Sequence, residues 1–514
     1  MTDWASGYVT EVPYTPGYYR ELSPLAIRFA LNCAGFKAPP ARGFNYCELG
    51  FGQGLSLNAH AAAHPDSHFV GADFNPAHVR MAQEMATASG ASLRVLEASF
   101  AEMLQRTDLP QFDYIAIHGV WSWISSANQD FLVEFFRRYL RPGGVVYISY
   151  NCLPGWSQAA PMRQLFAEYA HRQSAPGKGV TTRFDESLAF VQKIADLNLG
   201  YFAAASSLKD RLTGIARQNR NYLVHEYLNE DWQLMYFSEV AAKLASAKLD
   251  FAASAAVQEQ LDALRIPPAG MALLDEINDP VMRQTTRDYL VNQQFRRDLF
   301  VRGGERMTVV EQKRALDNYH FALLRPATQL REEARPRNGF PEPLREAVIA
   351  RIEEDGECSL ADLTKACSAY SPNLVRQALM IMLGTNELTL CLPAAQRGAA
   401  GVACRALNAR CYAQIGEGRE SAYLVSPVTG GAVAVGALQQ LMLDVSGRRS
   451  APTPGELAAL ALAKLSGLGQ RVVSMGKTCV DDAESLAALE RIAGEFISRD
   501  LPLLRLLGCA DQPD

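Results

Sequence analysis

The chain has 514 residues, too many for a single hydrophobic core, so about two to four domains are expected. Hydrophobic content of 48% and charged content of 20% exclude a disordered or fibrous chain, and a net charge of -5 argues against a general nucleic-acid binder. No apolar run reaches the roughly 18 residues that a membrane-spanning helix needs.

The first 20 residues are rich in aromatics (Trp4, Tyr8, Tyr14, Tyr18, Tyr19), and Pro13 and Pro16 keep the segment extended or turned. It has neither a basic stretch nor an apolar run of the secretory kind, so no signal peptide is expected. Ser23-Pro24 opens a helix, serine as N-cap and proline at the first helical position. The arm before it either folds over a ligand, with Tyr14, Tyr18 and Tyr19 as a lid, or packs as an N-terminal cap.

Regular alternation follows. Strands are expected at 44–49, 68–73, 93–97, 112–118 and 145–150. Helices are expected at 55–63, 75–88 and 128–140, and Arg141-Pro142-Gly143-Gly144 reads as a turn before the fifth strand. This pattern predicts an α/β fold with a mostly parallel, twisted Rossmann-like sheet, whose ligands bind at the carboxyl ends of the strands.

That rule directs attention to five loops. The first is E-L-G-F-G-Q-G, with Glu48 before Gly50, Gly52 and Gly54. Glycine is needed where the backbone turns sharply or a ligand lies against it. The dinucleotide fingerprint G-x-G-x-x-G is absent, and an acid at Glu48 would repel a pyrophosphate. It suits a ligand with ammonium and sulfonium charges, such as S-adenosylmethionine. Asp73 ends the second strand, where such folds place a carboxylate on ribose hydroxyls, and Phe74 follows it. Ser99 and Phe100 follow strand three. His118, Gly119, Trp121 and Trp123 follow strand four. Tyr150, Asn151 and Trp156 follow strand five. Tyr18, Phe74, Ser99, Phe100, His118 and Gly119 join the acid and glycines as cofactor-side candidates. Tyr150, Asn151, Trp156, His118 and Trp121 are the acceptor-side candidates, because aromatic walls attract cations and desolvate amines. The tryptophans could also merely pack the crossover helices.

Residues 157–210 read as helical with a break at 176–179, and 222–303 as helices joined by short turns. His225-Glu226 lacks the H-E-x-x-H spacing of a zinc site, so His225 is read as structural and no metal is expected. Residues 341–392 read helix, turn, helix, strand, similar to a winged helix. Only Arg376 is basic on its second helix, which favours protein contact over DNA. Residues 395–514 are rich in alanine and leucine, with a Gly/Ser/Pro-rich break at 446–455. Ten scattered cysteines without C-x-x-C are read as reduced thiols of a cytoplasmic protein.

With these residues in view, the chain resembles the class I S-adenosylmethionine-dependent methyltransferases. More closely, it resembles the bacterial group with a methyltransferase regulatory domain, which includes rickettsial protein lysine methyltransferases. The core resemblance rests on the acid-glycine turn, Asp73 and R-P-G-G. The closer one rests on H-G-V-W-S-W, S-Y-N-C-L-P-G-W and H-E-Y-L…W…Y-F-S-E-V-A. Phe51 departs from the small or polar residue common there. The resemblance implies methyl transfer, S-adenosyl-L-methionine as cofactor, and a lysine-bearing protein as one acceptor. A small-molecule methyltransferase and a non-catalytic S-adenosylmethionine sensor remain alternatives. The expected partner is a protein or small-molecule acceptor, with no nucleic acid; a homodimer is left open. The expected units are an arm and cap helix (1–40), the cofactor-binding core (41–170), a helical middle domain (171–335, with the regulatory part at about 222–303), a winged-helix-like module (336–395) and a C-terminal domain (396–514).

Overall fold

The computed structural model describes residues 7–511 apart from 16, 176, 206, 334–338, 417–421, 447–451 and 475–476. Trp4, Pro16, Pro176 and half of the break at 446–455 therefore lie outside the described residues. After α1 (Pro24–Cys33) come β1 (Asn45–Leu49), α2 (Leu55–Ala63), β2 (His68–Asp73), α3 (Pro76–Ser89), β3 (Leu93–Glu97), α4 (Phe100–Gln105), β4 (Phe112–Ile117), α5 (Ser126–Tyr139) and β5 (Leu140–Asn151). The boundaries follow local chemistry. Asn75 caps α3 by accepting from Ala77 N–H at 2.9 Å, Pro76 fits the first turn, and Gly90 at φ 64° ends the helix. Ser99 and Glu102 form a capping box on α4, a helix the sequence reading did not include.

Four helices, α6 (Ala160–Arg172), α7 (Val180–Asp196), α8 (Gly200–Ala204) and α9 (Ser207–Ala216), form the expected helical stretch. The next segment holds α10 (Arg220–Leu228), α11 (Phe237–Ala245), β6 (Leu249–Ser254), α12 (Pro268–Asp275), α13 (Pro280–Val291) and β7 (Phe295–Arg302). Here the structure corrects the all-helical reading of 222–303. β6 and β7 complete one seven-stranded sheet in the order β3-β2-β1-β4-β5-β7-β6. The first five strands are parallel, and β7 runs antiparallel to both β5 and β6. The R-P-G-G residues are not a free turn either. They lie within β5, where Leu140 pairs with Phe112 and the register shifts before Tyr114 meets Val145.

Both faces of the sheet are covered. On one face Tyr46, Phe69, Tyr114 and Tyr147 pack against α1. On the other Cys47, Ile115, Val146 and Ile148 pack against Phe135, Phe136 and Phe237. Phe51 fills space that Gly71 of β2 leaves open; a Cβ at Gly71 would stand 2.9 Å from its ring. The departure at Phe51 is therefore matched from the neighbouring strand.

Beyond the sheet come α14 (Val309–Asp317), β8 (His320–Leu323), α15 (Ala327–Glu332), α16 (Glu342–Asp355), β9 (Cys358–Ser359), α17 (Leu360–Ala366), α18 (Pro372–Gly384) and β10 (Leu388–Cys391). The last three strands form a small sheet in the order β10-β8-β9. Ser359 and Ser371 cap α17 and α18 where the sequence places them. The long α19 (Ala394–Gly416) and the hairpin of β11 (Tyr423–Ser426) and β12 (Gly431–Ala434) return to the core. Ala59, Ala62 and Ala63 of α2 pack there against Ala400, Cys404, Leu407, Val425 and Ala432. Small side chains on α2 permit that close approach. Arg410 also pairs with Glu84 of α3 at 2.5 Å. No helix among the described residues is long and apolar enough to cross a membrane.

Candidate active site

A cavity of about 560 Å³ opens at the carboxyl ends of β1 to β5. It sits where the strand order reverses between β1 and β4, the place an open α/β sheet offers to a ligand.

Its floor is the glycine turn. Gly50, Gly52 and Gly54 have φ of 72°, 59° and 78°. A Cβ on Gly50 would come 2.5 Å from Val120 Cγ2, whereas one on Gly52 would project into open space. The turn is held by Asp73, whose carboxylate accepts from Gly52 N–H and Asn75 N–H, each at 2.9 Å. Glu48 is buried, and its Oε2 has no hydrogen-bond partner. Burial, with the charge of Asp73 adding to it, pushes the Glu48 carboxyl up to about 8. A desolvated acid with one orphaned oxygen beside an open glycine cradle fits a cationic ligand and does not fit a pyrophosphate. Phe74, Ser99, Phe100, His118 and Gly119 line the same cavity. The Ser99 hydroxyl is occupied by the cap of α4.

His118 is held rigidly. Its Nδ1 lies 2.8 Å from Tyr147 Oη and 3.3 Å from Ser149 Oγ, and Tyr19 lies over its ring at 3.9 Å between centroids. Burial lowers its pKa to about 4, so the imidazole is neutral at physiological pH.

The roof comes from the arm and from α10. Tyr8, Tyr14 and Tyr19 line the cavity, as do Tyr222, His225, Glu226 and Asn229. His225 Nε2 lies 3.0 Å from Val12 O, and Asn229 Oδ1 accepts from Val9 N–H at 2.8 Å. The Tyr8 and Tyr14 rings lie 5.4 and 5.2 Å from the His225 ring. Gln53, in the glycine turn, donates to Tyr14 O from the other side. The arm is thus a strap between the glycine turn and α10. Tyr222, His225 and Glu226 of α10 and its C-cap Asn229, at i, i+3, i+4 and i+7, form one stripe along the cavity. That spacing was present in the sequence and is the signal by which Tyr222, Glu226 and Asn229 could have been found.

Three candidates do not reach the cavity, and each is a correction. Tyr150 donates to Asp298 Oδ2 at 2.8 Å in the core; successive residues of a strand face opposite sides, so Tyr150 turns away where Asn151 lines the cavity. Trp121 is fully buried with its Nε1–H on Met235 Sδ at 3.3 Å, whereas Trp123, two residues along the same tight turn, faces the cavity. Tyr18 points opposite to Tyr19, against His60 (Oη to Nε2, 3.3 Å) and Tyr423 of β11. Trp156 is placed for either of the roles weighed for it. It lines the cavity, and it packs edge-on to Trp232 at 5.2 Å among the helices. Among the described residues no group of three or more histidine, cysteine or acidic side chains could hold a metal ion.

The sheet order, the acid-glycine turn and the cation-fitting cavity define a class I S-adenosylmethionine-dependent methyltransferase. Residues 47–146 match the family described as a methyltransferase domain, and residues 219–302 match a predicted methyltransferase regulatory domain. An uncharacterized protein of Synechocystis sp., sll1526, is 37% identical over 98% of this chain and 99% of its own length. The uncharacterized protein RP789 of Rickettsia prowazekii is 28% identical over 56% of this chain and 51% of its own. The structure of PKMT2 from Rickettsia typhi in complex with AdoHcy has the same fold over 97% of this chain and 99% of that one (TM-score 0.71, 17% identity). The chain belongs to the bacterial class I methyltransferases that carry the methyltransferase regulatory domain. In this structure that regulatory domain supplies the last two strands of the methyltransferase sheet and the α10 wall of the cavity.

Proposed function

We propose that the protein transfers the methyl group of S-adenosylmethionine to a lysine side chain of a protein acceptor in the cytoplasm. Glu48, the Gly50–Gly54 turn, Asp73 and Phe74 would hold the cofactor, with the backbone at Ser99 and Phe100 and the His118-Gly119 turn beside it. The cofactor supplies a methyl group on sulfonium, which leaves by in-line displacement. The chain's own work is then to desolvate the acceptor nitrogen, aim it and exclude water.

The observation that carries the reading is the aromatic wall opposite the glycine turn. Tyr14, Tyr19, Trp123, Trp156, Tyr222 and Phe295 all face the cavity. Such a wall admits a thin alkyl chain with a cationic end and favours its neutral form once water is excluded. No disulfide joins the ten cysteines among the described residues, and nine of them are buried, which suits a reducing compartment. To test the reading, the protein is incubated with methyl-labelled S-adenosylmethionine and a bacterial lysate, which is then split into protein and small-molecule fractions. Label is expected in protein and, after acid hydrolysis, in methyl-lysine. Label confined to the small-molecule fraction would overturn the protein acceptor, and label in neither fraction would overturn the acceptor assignment altogether.

A further inference from the structure

We propose that Glu226 receives the acceptor's ammonium and takes its proton before methyl transfer. This inference rests on the amine reading above and adds the residue that makes the amine reactive.

The geometry comes first. Glu226 sits on the cavity-facing stripe of α10, one turn after Tyr222, across from the glycine turn. Among the described residues no hydrogen bond to its carboxylate is found, and neither oxygen is sealed away. It is therefore an acid with free lone pairs presented to a cavity walled by rings. The groups facing it are few. Arg163 of α6 and Arg211 of α9 lie behind it, their guanidinium carbons 5.0 and 4.0 Å from the Trp232 and Trp156 ring centres. Tyr8, Tyr14 and Tyr19 face it from the arm, and Tyr222, His225 and Tyr227 from its own helix. Burial of the carboxyl outweighs the two arginines and lifts it to about 7. A proton acceptor works best when it titrates near the working pH. Burial holds His118 and His225, also on the cavity, near 4, and Glu48, raised to about 8, lies across the cavity at the glycine turn.

The step balances. An acceptor R–NH3+ gives one proton to the Glu226 carboxylate, leaving R–NH2 and a neutral carboxylic acid. The nitrogen lone pair then forms the N–C bond as the C–S bond breaks, and the sulfur keeps that electron pair as a thioether. The product is R–NH2+–CH3, and the Glu226 proton returns to water when the cavity opens.

Glu226→Gln and Glu226→Asp are compared with the wild type in the full chain. S-Adenosylhomocysteine affinity within about twofold and an unchanged melting temperature establish intact variants. Binding of n-butylamine to the protein saturated with S-adenosylhomocysteine is read by calorimetry at pH 8. Glu226→Gln is expected to bind it at least tenfold more weakly; equal binding, or none in the wild type, overturns the proposal. Methyl transfer to poly-L-lysine is then followed from pH 6 to 9. Glu226→Gln is expected to fall about 10²-fold at pH 7 and to recover about tenfold per pH unit, because only spontaneous loss of the amine proton remains. Glu226→Asp should regain the wild-type profile in shape. A Glu226→Gln profile that parallels the wild type overturns the proposal. A wild type that binds n-butylamine through Glu226 but labels no polylysine supports Glu226 and overturns the protein acceptor instead.

Discussion

Glu48 is the residue whose chemistry most constrains the ligand. Its folded pKa is raised, so its contribution to stability is full below about 4.5 and is lost as the pH rises through about 8. A cation bound beside it reverses this by favouring the charged form. Binding of S-adenosylmethionine at pH 7 should therefore release a substantial fraction of one proton. Calorimetry in buffers of different ionisation enthalpy reads that number directly. Glu48→Gln should abolish the release, and identical release in the variant would refute the assignment. Asn151 makes a second test. Its N–H donates to Ser122 Oγ at 2.8 Å, while its side chain faces the cavity. Asn151→Ala should leave S-adenosylhomocysteine affinity within about twofold and lower turnover roughly 10²-fold, the scale of a misaimed reacting atom. Unimpaired turnover would remove Asn151 from the acceptor side.

At the scale of elements, the arm and α10 form one device, and it is anchored at a distance from the chemistry. Tyr19 enters the cavity while Tyr18 docks between α2 and the β11–β12 hairpin. Deleting residues 1–20 should abolish transfer yet leave a folded core, seen as a cooperative melt and retained S-adenosylhomocysteine binding. Full activity after deletion would reduce the arm to packing. Local signals made much of this architecture legible. Caps at Asn75, Ser359 and Ser371, the stop at Gly90 and the apolar runs of β1 to β4 gave boundaries close to those observed. β7 was illegible for a physical reason. Its R-R-D run puts charges inside a strand, which mimics an amphipathic helix. In the fold Arg296 is buried with Asp288 at 2.6 Å and Asp298 at 2.7 Å, so partners distant in sequence or on the same strand neutralise it. The cavity floor was legible because the glycine turn is contiguous. The misaimed Tyr18, Trp121 and Tyr150 each sit one or two residues from a side chain that does face the cavity, a distinction of direction that spacing alone left undecided.

For the whole molecule, the regulatory domain cannot be separated from the sheet it completes. A chain cut after residue 218 would keep the whole glycine turn and Asp73 but lose β6 and β7. The full edge of β5, whose Val145 to Asn151 pair with Val301 to Phe295, would then be bare. Such a chain should aggregate and fail to bind S-adenosylhomocysteine. A soluble fragment with wild-type affinity would show the domain to be an accessory.

The same late strand sets the timing of the protein's birth. On the ribosome β5 is made roughly 150 residues before β7, an interval of about 10–30 s at ordinary synthesis rates. Through that interval one long edge of the apolar strand β5 has no strand beside it, the kind of edge that recruits other chains. Helices α6 to α13 and strand β6 emerge meanwhile, and in the finished sheet β6 is joined to β5 only through β7. Yield in the cell should therefore depend on how fast residues 152–302 are translated and on what shields β5 while they are, even for variants whose finished fold is as stable as the parent's.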